Sequence, residues 1–253
     1  VLTCAVCRVN ESTQEHHLSY HPEIKIDICN ECHEFLHGHN VGLARQTSRN
    51  LLFELREQGK NFITSDELRG FCEKYDFNYE SVIRHLLPRG WMIRVFRGVF
   101  YILSLEEKNK GVLNSSMLEL VANGLFYKKV DNWYVGLKSA LWKNGVISEP
   151  EECYIINDTI QRRGMFIGGK TFNFKKLRTN IINFGIVNGV IPFSDLEKTL
   201  LDMIYLGRYN GKPSVAIWVT EVKKHWHLIN KEKMIAYSKH YPKTVQEFVM
   251  SRV

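Results

Sequence analysis

Residues 63–103 read ITSDELRGFCEKYDFNYESVIRHLLPRGWMIRVFRGVFYIL, and this stretch decides how the middle of the chain folds. Thr64-Ser65-Asp66-Glu67 has the T-x-x-E form of a capping box, in which a threonine hydroxyl and a glutamate carboxylate each satisfy the other's backbone N–H. It opens a helix running through about residue 74, with Leu68, Phe71 and Cys72 on one face by i, i+3, i+4 spacing. Asn78 is placed to cap a further helix over 79–87, which Pro88 and Gly90 end. Two strand-like runs follow at 91–95 and 99–103, joined at Phe96-Arg97-Gly98, where a glycine accepts the positive φ of a hairpin turn. Outward from this stretch, 43–58 is helical, with Leu51, Leu52 and Leu55 on its apolar face and Gly59 as its stop.

Three helices followed by a hairpin is the element order of a winged helix-turn-helix. Its third helix enters the major groove and its hairpin flanks the backbone. On that reading Asn78, Tyr79, Ser81, Arg84 and His85 belong to the recognition helix, and Arg89, Arg94 and Arg97 clamp phosphates at its exit and on the wing. The alternative is a protein-interaction module with these arginines as a solvated face. The concentration of basic residues on the elements that dock favours double-stranded DNA.

The N-terminal segment carries a different chemistry. Cys4-x-x-Cys7 and Cys29-x-x-Cys32 are two knuckles about twenty residues apart, and six of the ten histidines lie in the first 39 residues. Each two-residue spacer lets a tight turn aim both sulfurs at one ion, so Cys4, Cys7, Cys29 and Cys32 are expected to hold a structural Zn2+. Two disulfides, or four buried thiols, are the other readings. Cys72 and Cys153 stand alone as ordinary buried thiols. The pattern CxxC…His16-His17…CxxC-His33-x3-His37 resembles the zinc-containing HNH endonuclease finger, a ββα-metal or treble-clef unit. The resemblance implies that His16, His33 and His37 hold a second, catalytic divalent metal and that His17 is the general base. A divalent ion clamps the scissile phosphate, and a neutral imidazole takes the proton of water near pH 7. The segment 21–28 lacks the asparagine that the family usually places there, and the finger is acidic.

Residues 111–253 give mixed α/β signals. Helical patterns occur over 116–123, 133–144, 195–204, 231–237 and from 244, and strand-like runs at 153–156, 165–167, 171–174 and 181–187. Six basic and no acidic residues fall between 161 and 180: Arg162, Arg163, Lys170, Lys175, Lys176 and Arg178. Interleaved with Phe166, Phe172 and Phe174, they predict a hairpin with one basic face that adds phosphate contacts, or else a solvated face over an aromatic core. Lys198 and Asp202 read as an i, i+4 surface ion pair, and His225 and His227, flanking Trp226, read as same-side residues of a strand.

Three pieces line up with one family. Residues 63–103, ending in Arg89-Gly90-Trp91…Arg97-Gly98-Val99-Phe100-Tyr101, resemble the N-terminal winged helix of AbiEi-type antitoxins; Tyr134-Val135-Gly136-Leu137-Lys138-Ser139-Ala140-Leu141 resembles the helix that begins their C-terminal domain; and Asp195…Glu197-Lys198-Thr199-Leu200-Leu201-Asp202 resembles a later helix. The resemblance implies a type IV toxin–antitoxin regulator. Such a protein represses its own operon and opposes a nucleotidyltransferase-like toxin encoded nearby.

Composition frames these readings. A chain of 253 residues, 44% hydrophobic and 24% charged, is long enough for several small domains and too apolar for wholesale disorder. The expected fold class is α+β: a zinc finger at 1–40, a winged helix at 41–110 and an α/β domain at 111–253. No apolar run reaches the roughly 18–20 residues that span a bilayer, and no secretory signal is present, so a cytoplasmic protein with no membrane partner is expected. The net +7 is uneven: residues 1–40 carry −4, residues 41–110 +3 and residues 111–253 +8. Attraction to a polyanion therefore belongs to the body and not to the finger. The leading expectation is a zinc-containing, sequence-specific DNA-binding antitoxin, with a winged-helix-targeted HNH endonuclease as the alternative.

Overall fold

The structure, a computed structural model, describes residues 3–5, 10–12, 14–20, 23–30, 48–209 and 214–253. It is an α+β protein that divides into two compact units, Val1–Asn114 and Ser115–Val253.

In the first unit, strands β1 (Gln14–Tyr20) and β2 (Glu23–Ile28) form an antiparallel hairpin with a register shift between His17 and Ser19. Helix α1 (Ser48–Glu57) lies N-terminal to the decisive stretch. Strand β3 (Phe62–Thr64) leads directly into α2 (Ser65–Lys74). The Thr64 hydroxyl accepts from Glu67 N at 3.2 Å while Glu67 Oε2 accepts from Thr64 N at 2.9 Å, so the capping box forms as its spelling demands. Asn78 Oδ1 likewise accepts from Ser81 N at 2.9 Å and caps α3 (Tyr79–Leu86). Strands β4 (Met92–Phe96) and β5 (Val99–Ile102) turn at Gly98, whose φ of +77° only glycine adopts cheaply. The sheet order is β3-β5-β4, so β5 is the central strand and is buried along its whole length. The short β3 was not legible beforehand: three residues ahead of a capping box carry no period, and only pairing with β5 makes them a strand. Leu51, Leu55, Ile63, Leu68, Leu86, Trp91, Phe100 and Ile102 form the core of this unit. Helix α4 (Leu105–Lys110) closes it, with a second capping box at Ser104 and Glu107.

The second unit opens with α5 (Met117–Tyr127) and β6 (Trp133–Val135), followed by α6 (Leu137–Lys143). The helix expected over 133–144 therefore begins four residues late. Trp133-Tyr134-Val135 is an aromatic and β-branched run that finds partners on both sides, β7 (Glu152–Asn157) and β11 (Phe193–Ser194). Strands β8 (Arg162–Ile167) and β9 (Lys170–Lys176) form the expected hairpin, and β10 (Ile186–Val187) is brief. The mixed sheet runs β10-β11-β6-β7-β9-β8, with β7 and β9 parallel and β8 at the edge. The strand expected over 181–187 is cut to its last two residues: Ile181 and Ile182 are both buried, which an alternating strand does not allow.

Helices α7 (Leu196–Tyr209), α8 (Ser214–His225), α9 (Lys231–Ser238) and α10 (Lys243–Met250) complete the unit. Helix α8 overturns the strand reading of His225 and His227. His225 ends the helix, beside Glu221 at 3.2 Å, and Trp226 starts a 3-10 turn and packs edge-on against Phe248. Helix α8 packs against α7. Among the described residues no helix is long and apolar enough to cross a membrane.

Candidate functional site

In the first unit, α3 is amphipathic in a way that separates packing from exposure. Val82, Ile83 and Leu86 are buried, and Ser81, Arg84 and His85 are exposed at i, i+3, i+4 spacing. Arg89, beyond the helix end, donates to the His85 carbonyl at 3.2 Å. Arg94 and Arg97 are exposed on the β4–β5 hairpin, and the Arg94 guanidinium lies 5.6 Å from the Phe100 ring centroid. Four other cations of this unit meet carboxylates, Arg56 with Glu107, Lys60 with Glu67, Arg69 with Glu80 and Lys110 with Glu106, while Lys74 meets the Tyr75 hydroxyl and Lys108 lies over the Trp91 ring. Arg84, Arg89, Arg94 and Arg97 have no such carboxylate among the described residues. Two of the sequence candidates are held by the fold itself. Asn78 caps α3, and Tyr79 donates to Ser65 Oγ at 3.0 Å beneath the Arg69 guanidinium.

At the N-terminus the structure brings Cys4 and Cys29, one from each knuckle, into one small buried cluster with Ile28. Neither is in a disulfide, Cys4 N donates to Asn10 O, and Asn10 Nδ2 approaches Cys29 Sγ at 3.7 Å. Only the Cys29 sulfur meets that N–H donor, and among the described residues no group of three or more His, Cys, Asp or Glu side chains could hold a metal ion. Cys7, Cys32, His33 and His37 lie outside the described residues. His16 and His17 lie in β1, registered opposite Ile26 and Lys25, and their backbone alone is described. Cys72 and Cys153 are buried, and burial raises both thiols above their ordinary range, which leaves them as packing groups.

The basic stretch of the second unit does not present one face. Arg162, Arg163, Lys176 and Arg178 are exposed, but Lys170 is paired with Glu149 and Lys175 is buried. Strand β9 has four consecutive buried residues because both faces of its middle are covered, so alternation along it does not sort inside from outside. The Glu149–Lys170 pair lines a cavity of about 360 Å³, with Ser139, Trp142 and Cys153 on its wall.

The reading of Lys198 and Asp202 as a surface pair is also overturned. Both are wholly buried. Lys198 Nζ donates to Asp202 Oδ1 at 2.6 Å and to Tyr241 Oη at 2.8 Å, while Tyr134 and Tyr241 donate to the same carboxylate at 2.7 Å each. Burial pushes the ammonium down against the pull of Asp202, and pushes both phenols well above their ordinary value. Rings of Tyr134, Phe184 and Tyr241 surround the cation. The Asp202 carboxylate and both phenols are paired inside the cluster, so its chemistry is that of a structural core. The sequence did carry a signal for this: Thr199-Leu200-Leu201-Asp202-Met203-Ile204 is apolar around most of the helix, the mark of a buried helix rather than an amphipathic one. Next to it, Glu197 accepts from Asn230 N at 2.9 Å and from Lys233, whose ammonium is raised to about 12 because Glu197 and Asp195 outweigh the cost of burial.

No protein-family model matches the chain, and no curated protein matches it. Among solved structures it is similar to the RV2827C protein from Mycobacterium tuberculosis, with a TM-score of 0.50 and 12% identity over 81% of this chain and 76% of that one. At that identity the likeness extends to the α+β fold.

Proposed function

We propose that the chain is a zinc-containing, sequence-specific DNA-binding protein in which β3, α2, α3 and the β4–β5 hairpin make a winged helix-turn-helix. Helix α3 is then the recognition helix, with Ser81, Arg84 and His85 toward base edges, and β4–β5 is the wing. The observation that carries this reading is a cluster of arginines without carboxylate partners. Arg84, Arg89, Arg94 and Arg97, on α3, at its exit and on the hairpin, meet no carboxylate among the described residues and are available to phosphate, whereas Arg56, Lys60, Arg69 and Lys110 each meet one. The zinc would sit on Cys4, Cys7, Cys29 and Cys32 and contribute folding energy to a segment whose apolar cluster, among the described residues, is Cys4, Ile28 and Cys29 with Ile26 packed against it. The likeness of the three sequence pieces to AbiEi-type antitoxins supports an autorepressor that opposes a nucleotidyltransferase-like toxin. Binding to duplex DNA of its own promoter, with a steep salt dependence, is the expected result; an affinity equal to that for arbitrary duplex excludes the reading.

The second reading is an HNH-type endonuclease. It is favoured by the position of the His16-His17 doublet on a β-hairpin that runs into the second knuckle. Nicking of duplex DNA with Mg2+, Mn2+ or Zn2+, lost in His17→Ala, supports it, and equal behaviour of variant and wild type removes it.

A further inference from the structure

The cavity of about 360 Å³ in the second unit is used by neither the DNA reading nor the zinc reading. Every residue that lines it belongs to that unit and lies among the described residues. Its volume falls at the lower end of the range for small-molecule clefts, about 300–1,000 Å³. The sheet register builds its floor. β7 and β9 run parallel with Cys153 beside Phe172, and β6 pairs Val135 with Ile155, so Val135, Cys153 and Phe172 face one side of the sheet. All three are buried. Trp142 of α6 and Met117 of α5 add apolar walls. Met117 also closes the side toward the β8–β9 turn: it is seated on Gly168 so closely that a Cβ there would run into its thioether.

The chain passes this cavity in an unusual conformation. Val135 and Ser139, both on the lining, bracket Leu137, which is wholly buried and has a φ of +54°. A bulky residue rarely takes that conformation, and such strain collects at functional sites. Gly136 lies against Ile156 with no room for a Cβ, so the strand-to-helix turn is fixed by its packing.

Four charged residues meet the cavity, and three of them are already committed. Lys170 pairs with Glu149. The Glu152 carboxylate is held by Tyr154 Oη and Asn173 Nδ2 at 2.8 Å each. Lys143 meets no carboxylate among the described residues, and its ammonium lies 4.7 Å from the Trp142 ring centroid. The lining therefore offers one uncommitted cation beside an aromatic wall and an apolar floor. A monoanion with a flat apolar body complements that set in charge and in surface.

We propose that this cavity binds a small aromatic carboxylic acid. Its ring lies over Val135 and Phe172 beside Trp142, and its carboxylate meets the Lys143 ammonium at the rim. Burial of the ring supplies affinity, and the charge-assisted hydrogen bond fixes orientation. The site lies within one unit and stands whether or not the DNA reading holds.

Calorimetric titration of the full chain with benzoate, indole-3-acetate, indole-3-acetamide and tryptamine tests the site. The last three share a ring and differ in charge. Saturable binding of at least one acid is expected, with the amide and the amine at least about tenfold weaker than indole-3-acetate. Lys143→Gln, which alters an exposed side chain, should bring the acid down to the level of the amide and leave the amide unchanged. Trp142→Leu should weaken acid and amide alike. Lys128→Gln, exposed and away from the lining, should bind as the wild type does. No saturable binding of either acid overturns the proposal. So do equal binding of acid and amide by the wild type, tighter binding of the amine, and an acid that binds Lys143→Gln as it binds the wild type.

Discussion

Each unit buries a carboxylate, and the two are held by opposite strategies. Glu107, 1% exposed, accepts from Ser104 N, Tyr101 Oη and Asn114 N at 2.8, 2.6 and 2.9 Å, all within seven residues, with Arg56 added from α1. Asp202 is held by Tyr134 and Tyr241, which are 68 and 39 residues away, and by Lys198 one helical turn before it. The first is a capping box turned inward, and the second exists only once β6, α7 and the turn before α10 have met. Acids of the first kind are visible in a sequence. Acids of the second kind pass for surface charges.

Breaking the second cluster should have the larger effect. Asp202→Asn leaves Lys198 charged and buried without its counter-ion, and about 3–5 kcal/mol of stability should be lost in urea denaturation. Pairing it with Lys198→Met should recover a substantial part of that loss; a double variant as unstable as the sum of the singles would show that the pair does not act as a unit.

Glu107→Gln comes next, at about 1–3 kcal/mol, since a carboxylate that accepts four hydrogen bonds is replaced by a group with one oxygen. This variant also carries a pH signature. Burial raises the Glu107 carboxyl, but hydrogen bonds from Ser104, Tyr101 and Asn114 outweigh it and hold the group below its ordinary value. A depressed carboxylate contributes stability above the unfolded-state value of about 4.3, and that contribution is lost as pH falls through the folded value. The wild type should therefore lose more stability than Glu107→Gln on acidification below about pH 4.5, and parallel curves would sink the assignment.

The arginine surface of the first unit gives the contrast a functional edge. Arg84→Ala should cost about 1–3 kcal/mol on the preferred duplex and relax discrimination at one base position, as measured by competition with single-base variants of the site. Thr64→Ala removes one half of a capping box and should cost about 1 kcal/mol, with no change in the salt dependence of DNA binding. The smallest effect is Arg97→Ala, which should weaken all duplexes alike and lower the slope of log K against log salt by about one. A change in base preference on Arg97→Ala would place the hairpin in a groove and not on the backbone.

Legibility followed the range of the forces involved. The capping residues Thr64 and Asn78, the Gly98 turn and the β8–β9 hairpin were read correctly because each is decided within four or five residues. The errors fall where the deciding partner is remote. Trp133–Val135 is a strand because β7 and β11 flank it, and His225 and His227 fall at a helix end and in a 3-10 turn whose Trp226 packs on Phe248. Of the candidate site, the exposed Ser81, Arg84, His85, Arg94 and Arg97 lie where helical and hairpin periods put them. The basic stretch was misjudged because its side chains fall under different cover, with Lys175 buried and Lys170 paired.

By itself the sequence determined the local grammar of this protein: where helices cap, where hairpins turn, and which cysteines share a spacing. Only the tertiary structure decided which charges lie outside and which within. Burial of a charge depends on whether a partner from elsewhere in the chain can replace water around it, and neither the partner nor the dry surroundings are written at the residue's own position.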